Sequence, residues 1–319
     1  MSLRAAHQGY EYQDLLVAYR FVDVLLGSIV ETYVDLKLFA DDRFDDLTTI
    51  DRDGNRERVQ FKHTESPDRP LSLRTFTSED RSLRLDRLIA SILNDRADPG
   101  RNAKEIVFRI VLRDQAPIDP NLLAVLMPLG NTSGPFIPTM RTIRFGFNAD
   151  ALWHQGANES ADGIDRPFEF LFAGSELSFA DLEWVCKHLV VEVGAPPMSG
   201  DLTAPEIAEQ LLLTRMRADV GAETFPNEGR TAIDVSAAML TAARAARRGR
   251  LDVTAPELLR ITQLRSDFGA VSRAHPVDSS LEVLRQSAVR NLVDDATEQA
   301  TVGGHLLVIG PPGQGKSWV

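Results

Sequence analysis

Apolar residues at helical spacing mark the start of the chain: in YEYQDLLVAYRFVDVLL (10–26) they recur every three or four positions, and Gly27 stands where a helix stops. The period then changes to two. SIVETYVDLKLFA (28–40) alternates as a strand does, FDDLTTI (44–50) follows an acidic turn, and ERVQFKH (57–63) follows Asp51-Arg52-Asp53-Gly54-Asn55, whose residues suit a tight hairpin. A polar loop with prolines (64–75) leads to a helix over roughly 78–94. KEIVFRIVLRD (104–114) is apolar almost throughout, the pattern of a central strand covered on both faces.

TIRFGFN (142–148) and PFEFLFA (167–173) add two strand candidates. From about 178 the pattern reads as helical: FADLEWVCKHLVVEV (179–193), APEIAEQLLLTRMRADV (204–220), AIDVSAAMLTAARAARR (232–248), APELLRITQLRSDF (255–268) and SSLEVLRQSAVRNLVDDATEQA (279–300). HLLVIG (305–310) is a short buried strand. The pattern predicts an α/β domain over 1–177, a helical connector over 178–300, and over 301–319 the first strand and phosphate loop of an NTPase domain.

Composition narrows this picture without naming a function. With 43% apolar and 25% charged residues, the 319-residue chain is ordinary globular protein. No run is apolar and long enough to cross a bilayer, and MSLRAAHQGYEYQ lacks a signal peptide's apolar core. The single cysteine, Cys186, excludes an internal disulfide, so a reducing cytoplasm is the expected location. It sits in an apolar pattern and reads as a core residue. His154 and His188 have no companion at metal-ligand spacing, which excludes a zinc site built on them. Trp153 and Trp184 read as packing residues.

A net charge of −11 excludes a uniformly basic surface but leaves room for a basic stripe. Arginines cluster at Arg69, Arg74, Arg81, Arg84 and Arg87, and again at Arg244, Arg247, Arg248 and Arg250. Both clusters read as solvated faces. The helix bearing Arg81, Arg84 and Arg87 is the expected contact for a DNA backbone.

Chemistry concentrates in two places. In the third strand, period two puts Gln60 and Lys62 on one face and Val59, Phe61 and His63 on the other. The hairpin brings Asp46 near this pair. A carboxylate, an amide and an ammonium together suit phosphodiester hydrolysis. Asp46 is a hard oxygen ligand for Mg²⁺, with the Gln60 side-chain oxygen or a neighbouring backbone carbonyl as a second. Lys62 would orient or help deprotonate the attacking water and offset charge on the phosphate. Glu11, or Glu31 on the first strand, would bring a further carboxylate.

The second place is Gly310-Pro311-Pro312-Gly313-Gln314-Gly315-Lys316-Ser317, a phosphate-loop pattern directly after an apolar strand. Gly310, Gly313 and Gly315 let backbone amides approach phosphates, Lys316 reaches the β and γ oxygens, and Ser317 binds Mg²⁺. The helix that completes such a loop is missing after Val319, so ATP is expected to bind weakly or not at all to this chain. The expectation is an N-terminal portion of a longer protein.

The motifs GYEYQ (9–13), FDDL (44–47) and VQFKHT (59–64), in this order over roughly residues 5–115, resemble an effector nuclease family of bacterial antiphage defence. The resemblance implies a PD-(D/E)xK-type, restriction-endonuclease-like core of order α-β-β-β-α-β with a mixed sheet. It implies a Gln-x-Lys variant of the active site and Mg²⁺-dependent cleavage of double-stranded DNA. Such domains occur with a cyclic-oligonucleotide sensor, or fused to STAND NTPases that sense phage proteins and assemble on ATP. By position Asp46 matches the metal-binding acid, Gln60 the substituted acid, Lys62 the catalytic lysine, and Tyr12 and Gln13 a first-helix motif that shapes the site. Two features depart from the pattern. No proline precedes the acid, and the Asp45-Asp46 doublet leaves the choice of metal ligand open. The uncharged Gln60 weakens the metal site, so activity would require assembly. Two other readings remain: an inactive oligomerisation or DNA-docking module, and a nuclease-NTPase of restriction or repair.

Overall fold

The computed structural model describes residues 3–25, 27–63, 69–98, 104–130, 142–157, 166–174, 176–194, 228–249, 251 and 253–262. The helices expected at 204–220 and 279–300, the strand at 305–310 and the phosphate loop with Gly310, Gly313, Gly315, Lys316 and Ser317 lie outside these residues.

Residues 3–112 run in the order read from the pattern, with one added turn of helix, α2: α1 (Leu3–Leu25), β1 (Ile29–Val34), β2 (Leu47–Asp51), β3 (Arg56–Lys62), α2 (Arg74–Thr77), α3 (Leu85–Ala97) and β4 (Ile106–Leu112). Four shorter elements come next: α4 (Pro120–Leu123), β5 (Leu126–Pro128), β6 (Ile143–Phe147) and α5 (Ala149–Ala157). Then come α6 (Phe179–His188), β7 (Leu189–Val193), α7 (Glu228–Arg247) and α8 (Ala255–Thr262). The result is a mixed α/β fold around one seven-stranded sheet of order β1-β2-β3-β4-β7-β6-β5. The β3–β4 and β4–β7 pairs are parallel and the other pairs antiparallel.

β4 occupies the centre, as its apolar pattern, interrupted only by Arg109, predicts. Phe108, Ile110 and Leu112 enter one core with α3, α5 and α6, while Val111 enters the other with α1, α7 and α8. From Tyr12 to Leu25 α1 is buried nearly all round because it lies between the sheet and the α7–α8 pair. The β2–β3 hairpin closes through Asp51, whose Oδ1 accepts the amides of Asp53 and Asn55 at 2.9 Å, with Gly54 at φ 81°. Only a residue without Cβ adopts that backbone cheaply.

The structure corrects three sequence expectations. The helix expected over 179–193 stops at His188, and Leu189–Val193 forms β7, inserted between β4 and β6. The sheet therefore extends past residue 177, and the helical connector does not begin at 178. Val190, Val191 and Val193 are β-branched and settle into the sheet, but a short, mostly apolar run reads equally as a buried helix. PFEFLFA is not a strand. Glu169–Leu171 is a 3-10 turn whose buried neighbours, Phe168 and Leu171, lie three residues apart, the period of that turn. The helix expected from 78 begins at Leu85, after a turn.

α7 is tied to α1 by charge as well as by apolar contact. Arg247 donates to both oxygens of Asp14 at 2.9 and 3.1 Å, and its guanidinium lies 4.6 Å from the Tyr10 ring centroid. Asp14 is buried, so truncating Arg247 would leave a desolvated carboxylate with Arg244, at 3.6 Å, as a poorer partner. We expect Arg247→Ala to lower unfolding stability by about 1–2 kcal/mol in urea titrations. A change below a few tenths would show that α7 docks by apolar contact alone.

Candidate active site

The ends of β1, β2 and β3 build one cleft. Asp35 follows β1 in the left-handed region, at φ 54°, a conformation that Asp tolerates better than most residues. Its amide donates to the Asp46 carbonyl at 3.2 Å and that of Leu36 to the Asp45 carbonyl at 3.0 Å, so the β1–β2 pairing continues past the strand ends. The intervening loop is organised by Asp42. Its Oδ2 accepts the Leu38 amide at 2.9 Å and its Oδ1 the Phe44 amide at 3.0 Å. The Asp42 carboxylate is in turn held by Arg58 of β3, fully buried and bound also to Asp95 of α3 at 2.9 Å. Arg56 adds a second bond to Asp95, so the α3 side of the hairpin is anchored by ions.

On β3, Arg56, Arg58, Gln60 and Lys62 share a face by period two, and the register Leu47↔Val59 sets Asp46 beside Gln60. Gln60 donates its amide nitrogen to Asp46 Oδ2, which also accepts the Phe61 amide at 2.6 Å. The cleft encloses about 420 Å³ and is lined by Asp35, Asp45, Asp46, Gln60 and Lys62, with Gln13 and Tyr10 of α1 at its rim. Burial pushes the Asp46 carboxyl up to about 7. Asp45 and Asp35 push in the same direction, while Lys62 and the Phe61 N–H oppose them. Asp35 is also raised, first by burial and then by Asp45. Three mutually repelling carboxylates in one cleft are a site that a cation would relieve.

Asp45, Asp46, Gln60 and Lys62 thus come together. Glu11 does not join them: it is exposed on α1 and does not line the cleft. The alternative, Glu31, faces away as well and accepts from the Tyr33 hydroxyl at 2.9 Å. The extra carboxylate is Asp35, which the sequence placed inside a strand over 28–40 and which the structure puts just past the end of β1 at Val34. Lys37, 3.7 Å from Asp45, and Arg43 also line the cleft. Of the first-helix pair, Gln13 is buried at the cleft wall and its Nε2 has no hydrogen-bond partner among the described residues. Tyr12 is fully buried, its hydroxyl without a hydrogen-bond partner among the described residues and pushed up by burial, its ring 5.4 Å from His63.

His63 was expected on the face opposite Lys62, yet it lines the cleft, because β3 ends at Lys62 and alternation ends with it. Arg113 lies 3.0 Å from His63 Nε2. A guanidinium only donates, so Nε2 is the acceptor in this contact. Cys186 is buried, as its pattern predicted, and burial pushes its thiol up to about 12. His188 caps its own helix through the Trp184 carbonyl at 2.6 Å.

Among the described residues no group of three His, Cys, Asp or Glu side chains forms a ready-made metal cage. Mg²⁺ does not require one, since it is held by one or two carboxylates together with water and phosphate oxygens. The buried, proton-retaining Asp46 with Asp35 and Asp45 nearby fits that kind of half-site. Among the described residues no helix is long and apolar enough to cross a membrane.

No family model matches the chain, and no curated protein matches it. Among solved structures it is similar to the Moraxella osloensis Cap4 SAVED/CARF-domain containing receptor, at 11% identity and a TM-score of 0.35 over 76% of this chain. The chain spans 44% of that receptor's length. A likeness so loose leaves the function to be argued from the residues.

Proposed function

We propose that this chain is a metal-dependent double-stranded DNA endonuclease, the effector region of a larger antiphage NTPase that is activated when the NTPase assembles. The observation that carries this reading is the contact of Asp46 with Gln60 in a cleft that Lys62 also lines. Mg²⁺, when bound, would supply Lewis-acid stabilisation of the phosphate and a more acidic bound water. Asp46 would hold it, with Asp45 or Asp35 and the Gln60 amide completing the protein's share. Lys62 places an ammonium in the cleft, where it offsets charge on the phosphate and orients the attacking water. Gln13 offers an amide N–H at the wall to a phosphate oxygen. The phosphate loop at 310–317 would bind ATP-Mg²⁺ in the longer protein, and C-terminal regions of that protein would sense the phage trigger.

Supercoiled plasmid incubated with Mg²⁺ or Mn²⁺ tests this, with EDTA and Lys62→Ala as controls. The chain is assayed alone and fused to a trimeric coiled coil that supplies assembly. Metal-dependent nicking or linearisation is expected, abolished by EDTA and by Lys62→Ala. Plasmid left intact in every metal condition, fused or not, would sink the nuclease reading. Gln60 is uncharged and already paired with Asp46, which favours a second reading, a DNA-docking module without catalysis. DNA binding without cleavage is its signature.

A further inference from the structure

We infer that a second cleft, beside the one just described, is a binding subsite for the DNA backbone phosphate next to the scissile one. The inference rests on the nuclease reading for the scissile phosphate's position, but its chemistry stands on separate residues. This cleft encloses about 330 Å³ and shares Lys62, His63 and Ser82 with its neighbour. The two differ in charge. The first is lined by four acids against three bases, the second by Lys62, Arg69, Arg74 and Arg81 against Asp80 and Asp114. A cation-seeking half and an anion-seeking half therefore meet at Lys62.

The arginines of this segment divide into two uses. Arg84 pairs with Glu79 at 3.5 Å and Asp86 at 3.3 Å and lies 4.5 Å over the Phe170 ring. Arg87 donates to the carbonyls of Arg81 and Glu79 at 3.2 and 2.8 Å, holding the turn before α3. Both are committed to structure, so the backbone contact expected of Arg84 and Arg87 falls elsewhere. Arg69 and Arg74 are exposed and make no side-chain hydrogen bond or ion pair among the described residues. Among the described residues the Arg81 guanidinium pairs only with exposed Asp80, at 3.9 Å.

These lightly engaged guanidiniums sit on a fixed frame. Leu71 and Gln115 exchange backbone bonds with the Arg69 segment, Leu71 N to Gln115 O and Gln115 N to Arg69 O, both at 2.9 Å. The frame is an extension of the central strand, so Arg69 is held just past the end of β4. Unspent arginines on a pinned backbone match a phosphate in fork geometry. A strand whose scissile phosphate lies at Asp46 and Lys62 would place its next phosphate between Arg69, Arg74 and Arg81.

Fluorescence anisotropy tests this, with the full chain and a labelled 20-base-pair duplex in Ca²⁺ over a range of salt. Each lost phosphate contact should flatten the slope of log Kobs against log salt by about 0.9. Arg69→Ala/Arg74→Ala should weaken binding roughly tenfold or more at low salt and flatten the slope by about 2, with Arg81→Ala giving about half that change. Thermal melts of each variant should match wild type, since all three side chains are exposed. Unchanged affinity and slope in the double variant, or a wild type that does not bind the duplex, would overturn the subsite. Cleavage of plasmid with an unchanged slope would remove the subsite and leave the nuclease reading standing. A flattened slope without cleavage would keep the subsite and remove the nuclease.

Discussion

Replacing Arg58 by alanine should cost about 3–5 kcal/mol, a large fraction of what a folded domain holds in reserve. The side chain is 0% exposed on the third strand. Its Nη1 donates to Asp95 at 2.9 Å, and its Nη2 donates to Asp42 and to the Phe44 carbonyl at 3.0 Å. Truncation would leave two buried carboxylates short of their counter-charge, and the cost lies mainly in those stranded anions. Asp95 keeps Arg56, and Asp42 keeps the Leu38 and Phe44 amides, which limits the loss to this range. Asp42 also organises the loop that delivers Asp45 and Asp46. Urea unfolding followed by circular dichroism reads the stability directly. A variant within 1 kcal/mol of wild type would show that the buried guanidinium is not what ties the loop to the helix before β4.

Asp46→Asn should separate stability from activity. Plasmid cleavage is expected to fall at least about a hundredfold, because Asn cannot supply the anionic ligand a hard cation requires. Without metal, the same variant should be more stable than wild type at pH 8. The sign follows from burial, which raises the Asp46 carboxyl to about 7 against the Lys62 ammonium and the Phe61 N–H. Between about pH 4 and 7 the folded protein keeps a proton that the unfolded chain has released. Wild-type stability is therefore lost as pH rises through this window, and the Asn variant is spared. The full shift corresponds to a ceiling of about 4 kcal/mol, and water in the cleft brings the expected gain to about 1–2 kcal/mol above pH 7. Mg²⁺ should then stabilise wild type and leave the variant unmoved. A variant that still cuts, or that gains nothing at pH 8, would place the metal-binding acid elsewhere, with Asp45 the first alternative.

Part of the candidate site is legible in the order of residues alone. Gln60 and Lys62 share a face because a strand alternates, and the turn at 51–55 sets the register that puts Asp46 beside Gln60. Asp35, Lys37 and Arg43 carried no such signal. Their approach depends on a loop folded around Asp42, and that loop depends on Arg58, sixteen residues away. The use of the arginines was equally hidden. Arg84 and Arg87 resemble Arg69 and Arg74 in sequence, and only the positions of Phe170 and the turn carbonyls show which pair is committed.

The sequence alone determined the order of elements from α1 to β4, the central place of β4 and the faces of β3. These follow from periods of two and 3.6 that each segment carries within itself. Tertiary structure decided that Leu189–Val193 is a strand between β4 and β6, because an apolar run takes the form its neighbours complete. It also decided that Arg247 closes on Asp14, 233 residues away in the chain. No local pattern encodes such a pair: a buried carboxylate needs a counter-charge, and which one reaches it depends on how distant helices pack.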